Sequence, residues 1–242
     1  NTGAAAGLVI NEVMYHPAAT STHPADNTND EYIEICNTSG SAIDLFNDGL
    51  TWRLSGGVDF AFPTGTSLTA GQCLAVVSFD PEDPLQADEK AAFLATYRQF
   101  DGEIQMFGPF SGKLSNSSDR ITLEQPQAPD GAGDPPSWIT RDELTYFENT
   151  PWPAAADGSG KPIQREDIAA SGNDPAAWYA PGFASPGFPD AMVEFLSPPS
   201  GATLLIPVLA ELTVAIDAQR ITGWASTTLR RSRPSHRVII AP

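Results

Sequence analysis

Glycine and proline interrupt this chain so often that no long regular element survives between them: 20 Gly and 22 Pro stand among 242 residues. Each proline removes a backbone donor and fixes φ, and each glycine lets the chain reverse, so the intervening segments stay short. Those segments are rich in β-branched and aromatic residues. Leu8 to Tyr15 lies between Gly7 and Pro17 and reads as a strand. Glu31 to Cys36 alternates, with Ile33 and Ile35 on one side and Tyr32, Glu34 and Cys36 on the other. Further strands follow at 51–54, 60–62 and 73–79, turned by Ser55-Gly56-Gly57 and Thr69-Ala70-Gly71, and again at 104–107, 121–123 and 144–147. Short strands at this spacing predict an all-β fold, a sandwich or a barrel. The inward set is expected to hold Ile10 or Val9, Ile33, Ile35, Trp52, Leu54, Phe62, Leu74, Val76, Ile121 and Leu123.

One stretch breaks the pattern. Pro84 to Phe100 is Ala-rich and charged, with Phe93, Leu94 and Tyr97, and predicts one short inserted helix near 86–100. Residues 124–137 form a Pro/Gly/Asp loop. Residues 151–189 look mostly irregular, pinned by Trp152 and Trp178. At 191–217 a new pattern starts: Val193-Glu194-Phe195-Leu196 and Leu212-Thr213-Val214-Ala215-Ile216 read as the opening strands of a second, incomplete sandwich. Residues 218–242 hold no acid and five of the 13 basic residues, Arg220, Arg230, Arg231, Arg233 and Arg237. They read as a basic tail, foreign or out of frame, whose deletion is expected to leave folding intact; a genuine basic tail is the competing reading. The missing initiator Met reads as a start after a cleaved segment or at an artificial boundary.

The net charge of −17 repels nucleic acid and anionic lipid and suits divalent cations, cationic partners or plain solubility. The longest apolar run, Leu204 to Ile216, contains Pro207 and Glu211 and is too short to cross a bilayer, so no membrane insertion is expected. Cys36 and Cys73 are compatible with one bridge or with two small buried thiols.

Several runs, taken in order, carry a resemblance. They are Ile10-Asn11-Glu12-Val13-Met14-Tyr15-His16-Pro17, Asp30-Glu31-Tyr32-Ile33-Glu34-Ile35-Cys36-Asn37 and Trp52-Arg53-Leu54-Ser55-Gly56-Gly57. Phe62-Pro63, Leu68-Thr69-Ala70-Gly71-Gln72 and Gly112 to Leu123 follow, then Pro151-Trp152-Pro153, Asp157-Gly158-Ser159-Gly160 and Gly172-Asn173-Asp174-Pro175. Over roughly residues 8–189 the chain resembles the bacterial lamin-tail domain. The resemblance implies an immunoglobulin-like β-sandwich over 8–190. It also implies a module of large bacterial surface or secreted proteins, often beside other immunoglobulin-like repeats, which suits 191–217 as the next repeat. Departures are the acidic insertion at 84–100, Cys36 and Cys73 where aromatic or aliphatic residues are more usual, and Lys161-Pro162-Ile163 after the Asp-Gly motif. The family is not defined by a catalytic activity, so no catalytic residue carries over.

The residues themselves announce no reaction. There is no Gly-x-Ser-x-Gly nucleophile elbow. Gly158-Ser159-Gly160-Lys161-Pro162 mimics the end of a phosphate loop but has Ala155 where the first glycine belongs and a proline after the lysine. His16 and His23 share one loop and offer a weak zinc site against the plainer reading of two solvated histidines, while Cys36 and Cys73 stand alone in strands. Asn37-Thr38-Ser39 and Asn116-Ser117-Ser118 match glycosylation acceptors, a triplet common by chance. Trp138, Trp152, Trp178 and Tyr179 are candidates for a carbohydrate platform, against their use as hydrophobic anchors. Asp80, Glu82, Asp83, Asp88 and Glu89 suit a helix N-terminus, and Asp157 and Asp174 suit turns.

The stronger signal is the carboxylate group Asp26, Asp30, Glu31 and Glu34, with Glu12 on the preceding strand. If the first strand turns Val9 and Val13 inward, Glu12 and Glu34 oppose one another on the outer face and repel. If Ile10 and Met14 face inward, Glu12 is buried and needs a partner. A divalent cation relieves the repulsion; calcium, with six to eight oxygen ligands, fits better than magnesium, which demands a tighter octahedron, and zinc is the second choice. The rival is that Glu12 accepts backbone or Tyr hydrogen bonds, or pairs with Arg53 or Arg120. Two functions are therefore carried forward. One is a non-catalytic, calcium-stabilised extracellular or cell-surface module, binding a protein or carbohydrate ligand or acting as a spacer in a longer parent chain. The other is a metal-dependent hydrolase of activated esters such as phosphoesters or phosphotriesters. Whether the chain is an enzyme is open at this point.

Overall fold

The computed structural model describes residues 7–47, 49–97, 104–129, 131, 133–188, 194–196, 203–206 and 236–239. The strands of the first half are β1 (Leu8–Met14), β2 (Tyr32–Asn37), β3 (Ile43–Asp44), β4 (Phe46–Asn47), β5 (Leu50–Thr51), β6 (Arg53–Gly56), β7 (Val58–Ala61), β8 (Ser67–Leu68) and β9 (Cys73–Val77). After helix α1 (Ala87–Thr96) come β10 (Met106–Phe107), β11 (Ser111–Gly112), β12 (Ser118–Gln127), β13 (Ser137–Phe147), β14 (Ile163–Arg165) and β15 (Trp178–Tyr179). They form a six-stranded sheet, β10-β9-β2-β1-β14-β15, and a five-stranded sheet, β11-β7-β6-β12-β13, with β3-β8 and β4-β5 as small ribbons. Neighbours in the two large sheets run antiparallel except β10 beside β9. The two sheets face one another as the immunoglobulin-like sandwich that the motif order implies.

The core between the sheets is built by alternation. Ile10, Ile33, Ile35, Leu74 and Val76 from one sheet meet Leu54, Val58, Ile121, Leu123 and Leu144 from the other, with Trp52 and Phe62 closing the edge. The two phases weighed for β1 both occur, because the pairing of β1 with β2 shifts between Ile10 and Glu12. A bulge adds one residue to a strand and resets its facing. Ile10 and Val13 therefore both enter the core, while Val9 joins Cys36 and Cys73, and Met14 joins Tyr32, on the other face.

That other face is covered by α1. Phe93 and Tyr97 pack edge-on against the Tyr32 ring at 5.9 and 5.2 Å. The helix is entered through a short 3-10 turn, Pro84–Gln86, whose cap Asp83 accepts from the Leu85 N–H at 2.9 Å, with Asp88 and Glu89 in the first helical turn. The part of the expected helix at 98–100 lies outside the described residues.

The stretch expected to be irregular, 151–189, instead supplies two strands of the six-stranded sheet, β14 against β1 and β15 against β14. Each is too short to show a period of two in the sequence. Trp152 and Trp178 anchor this stretch as expected: both are buried in the core, 6.3 Å apart, and the Trp178 indole donates to the Gly172 carbonyl at 2.9 Å.

A second unit holds, among the described residues, an antiparallel sheet of β16 (Glu194–Leu196), β17 (Thr203–Ile206) and β18 (His236–Ile239). The first two fall in 191–217 and the third in 218–242; the rest of both stretches, including the strand expected at 212–216, lies outside the described residues. No helix among the described residues is long and apolar enough to cross a membrane.

Candidate functional site

The five carboxylates singled out from the sequence are all placed, and alternation divides them between two faces. Glu12 and Glu34 are direct partners across β1 and β2, as the first reading of β1 required, and both are fully buried, as the second reading required of Glu12. Glu12 accepts from the Tyr32 hydroxyl, from the Ser185 N–H at 2.8 Å and from the Ser185 hydroxyl at 2.6 Å. Ser185 lies 173 residues away in sequence, so this carboxylate pins the 184–185 segment onto the sheet. Glu34 accepts from the Asn11 carboxamide at 2.8 Å, and its Oε1 lies 3.3 Å from Cys36 Sγ. Asn11 is the extra residue of the bulge, which is how two consecutive polar residues, Asn11 and Glu12, both serve this face. Glu12 thus takes Tyr and backbone donors, the rival arrangement set out above. Arg53 and Arg120 pair elsewhere, with Glu124 at 2.6 Å and Glu143 at 2.7 Å.

Asp26, Asp30 and Glu31 belong to the loop and 3-10 turn that lead into β2. Asp26 pairs with Lys113 at 2.7 Å and accepts from Asn116 at 3.3 Å; the lysine holds its carboxyl below the usual range. Asp30 accepts from Asn27 at 2.7 Å, and burial raises its pKa. Its carbonyl accepts from the Tyr97 hydroxyl at 2.7 Å, tying α1 to this turn. Glu31 points to the core side, opposite Glu34, and accepts from the Leu114 N–H at 2.9 Å. Burial pushes its carboxyl up to about 8, and its other oxygen, Oε1, is buried with no hydrogen-bond partner. The Lys113–Asn116 segment between β11 and β12 therefore meets this loop at Asp26 and at Glu31.

The remaining candidates settle into structural work. His16 lies 2.5 Å from Asp157, and His23 contacts Thr22 at 3.2 Å. Asp174 caps a 3-10 turn by accepting from Ala176. Trp138 is covered by the Arg53 guanidinium, 3.8 Å from its ring centre, and Tyr179 donates to Gln164 at 2.6 Å, so these aromatics do not stand together as an open platform. Of the two alternatives open for Cys36 and Cys73, the structure has the bridge: they are partners across β2 and β9 and form a disulfide with Cα atoms 4.1 Å apart. Sequence reasoning missed one charged pair outright. Arg165 on β14 and Asp142 on β13 are both buried, 2.5 Å apart, and Arg165 also donates to the Ile10 and Ala170 carbonyls. Nothing in Arg141-Asp142-Glu143 or Arg165-Glu166-Asp167 marks which charge turns inward.

The family model that matches the chain is the lamin tail domain, over residues 1–132. No curated protein and no solved structure matches.

Proposed function

We propose, from the premise that this chain belongs to the lamin tail domain family, that it is a non-catalytic binding or spacer module, stabilised by calcium and working in an extracellular or cell-surface setting within a longer protein. The β-sandwich of residues 8–190 is the module, and 191–217 opens a further repeat. The observation that carries the reading is the use to which the buried carboxylates are put. Glu12 clamps Ser185, Asp142 clamps Arg165, and Glu31 receives the Leu114 N–H, so each joins segments far apart in sequence. Such groups build a rigid scaffold whose exposed surface does the binding. The Cys36–Cys73 disulfide supports an oxidising setting. The acidic surface suits a cationic protein partner, with a carbohydrate as the other ligand class.

The calcium reading is carried to the loop side by one atom, Glu31 Oε1, which is buried without a hydrogen-bond partner; Asp26 and Asp30 stand on the same loop with partners of their own, Lys113 and Asn27. Thermal unfolding of chelator-treated protein tests this directly. Added Ca²⁺ should raise Tm, and Glu31→Gln should remove the rise. Equal melting with and without Ca²⁺ ends the calcium reading. Chelator-sensitive turnover of chromogenic phosphate or carboxylate esters would replace the module reading with the hydrolase one.

A further inference from the structure

Three potential metal ligands meet on the outer face of the six-stranded sheet, apart from the loop of Asp26, Asp30 and Glu31. Cys36 and Cys73 face one another across β2 and β9, and Glu34 precedes Cys36 by two residues on the same side of β2. One carboxylate oxygen of Glu34 and the two sulfurs all lie within 4.8 Å of one another, and Glu34 Oε1 is 3.3 Å from Cys36 Sγ. All three residues are buried, Glu34 fully, and the Asn11 carboxamide fixes the carboxylate by a bond of 2.8 Å. A disulfide sulfur carries no proton to donate, so the contact between this buried carboxylate and Cys36 is not a hydrogen bond.

We propose that cleavage of the Cys36–Cys73 disulfide converts this cluster into a site for a thiophilic divalent cation of the zinc class, held by both cysteine sulfurs and by Glu34. The separations suit the chemistry. Zinc bonds sulfur at about 2.3 Å and carboxylate oxygen at about 2.0 Å, so a tetrahedral site spaces its ligand atoms roughly 3.5–3.8 Å apart. The Glu34–Cys36 separation is already near that value, and the two sulfurs have only to part from bonding distance by a side-chain rotation. Two thiolates and one carboxylate offset both positive charges of the cation, leave the site with one net negative charge, and leave a fourth position for water. The sequence spacing of 37 residues between the cysteines hides the site, because only strand pairing makes them neighbours.

Conversion needs a reductant, here a trialkylphosphine. Phosphorus takes the oxygen of one water and becomes the phosphine oxide, the S–S bond breaks, and that water's protons go to the two sulfurs. As Zn²⁺ binds, both protons leave to solvent and two Zn–S bonds form. The full chain, reduced in this way without air, is titrated with Zn²⁺ against a chromogenic chelator and with Cd²⁺ for the cadmium–thiolate charge-transfer band. Reduced protein should take up about one equivalent and show the band, and oxidised protein should show neither at this site. Glu34→Gln, which keeps both cysteines and can be checked for folding in its oxidised form, should weaken binding by at least about tenfold, and Cys73→Ser should abolish the band. Zinc uptake that is equal in the oxidised and reduced protein, unchanged binding in Glu34→Gln, a disulfide that resists the phosphine in the folded chain, or loss of strand structure on reduction would each overturn the proposal.

Discussion

Arg165 and Asp142 join the two sheets of the sandwich through a buried ion pair, Nη1 to Oδ2 at 2.5 Å, with the same carboxylate oxygen accepting from the Ile10 N–H at 2.9 Å. Strands β14, β13 and β1 are thereby locked at one point. Burial pushes the Asp142 carboxyl up, while the guanidinium and the amide pull it back. Removing one partner leaves the other charge buried, which costs about 3–5 kcal/mol, whereas replacing both with apolar groups is far cheaper. Arg165→Met is therefore expected to destabilise the fold by that amount in urea unfolding. The double variant Arg165→Met/Asp142→Leu should lose clearly less than the sum of the two single changes. Additive losses would show that the two residues act independently.

The disulfide closes a loop of 37 residues, which in the chain-entropy view is worth about 3–4 kcal/mol. The double variant Cys36→Ser/Cys73→Ser should lower the free energy of unfolding by roughly this much. That is less than the stability of a typical domain, so the fold should persist. Wild-type protein unfolded with and without reductant gives the same comparison without substitution. Identical midpoints would assign the bridge no stabilising role.

The main architecture was legible because it depends on local rules. Alternation at Ile33 and Ile35, the glycine turns and the Ala-rich insertion give strands, reversals and the helix, and the inward set named from the sequence, with Ile10 rather than Val9, lies within the observed core. The opposition of Glu12 and Glu34 followed from only one of the two phases open for β1, and the bulge combines the two: Val13 enters the core as that phase required, whereas Val9 does not. What stayed hidden depends on distance in sequence. Ser185 reaches Glu12 across 173 residues, Asp142 reaches Ile10 across 132, and Cys73 finds Cys36 only through the β2–β9 pairing. The bulge at Asn11 was hidden differently: one inserted residue reverses facing, and no single residue type announces it. Strands β14 and β15 escaped because two or three residues cannot display a period.

Gly56 tests the close approach of β6 to β12. Its φ is +115°, and a Cβ there would stand 2.0 Å from the Arg120 carbonyl oxygen, a backbone atom that cannot swing aside. Gly56→Ala should therefore destabilise the protein by more than about 2 kcal/mol, combining backbone strain with a steric clash. Gly40 is the control, since a Cβ there meets nothing within 4 Å and its φ is ordinary. Gly40→Ala should leave Tm unchanged or slightly higher. Equal effects at the two positions would contradict the packing of Gly56 against Arg120.

Glu31 should give the stability of the calcium-free protein an unusual pH dependence. Its carboxyl is raised from 4.5 in the free residue to about 8 in the fold, chiefly by burial, with the Leu114 N–H opposing the shift. Between these values the folded chain keeps a proton that the unfolded chain has released. Stability falls with rising pH wherever the folded state binds more protons. The contribution is therefore fully present below about 4.5, declines through the window and is lost above about 8. The decline is at most about 1.4 kcal/mol per pH unit. Most buried carboxylates that stabilise proteins behave in the opposite sense, being depressed and losing stability toward acid. Glu31→Gln mimics the protonated form, keeps an acceptor for Leu114 and removes the titration. In chelated buffer its unfolding free energy should match wild type near the acid end of the window and exceed it near the alkaline end. Parallel curves for wild type and variant across the window would mean that Glu31 ionises at its ordinary pKa and that water or a counter-charge reaches Oε1.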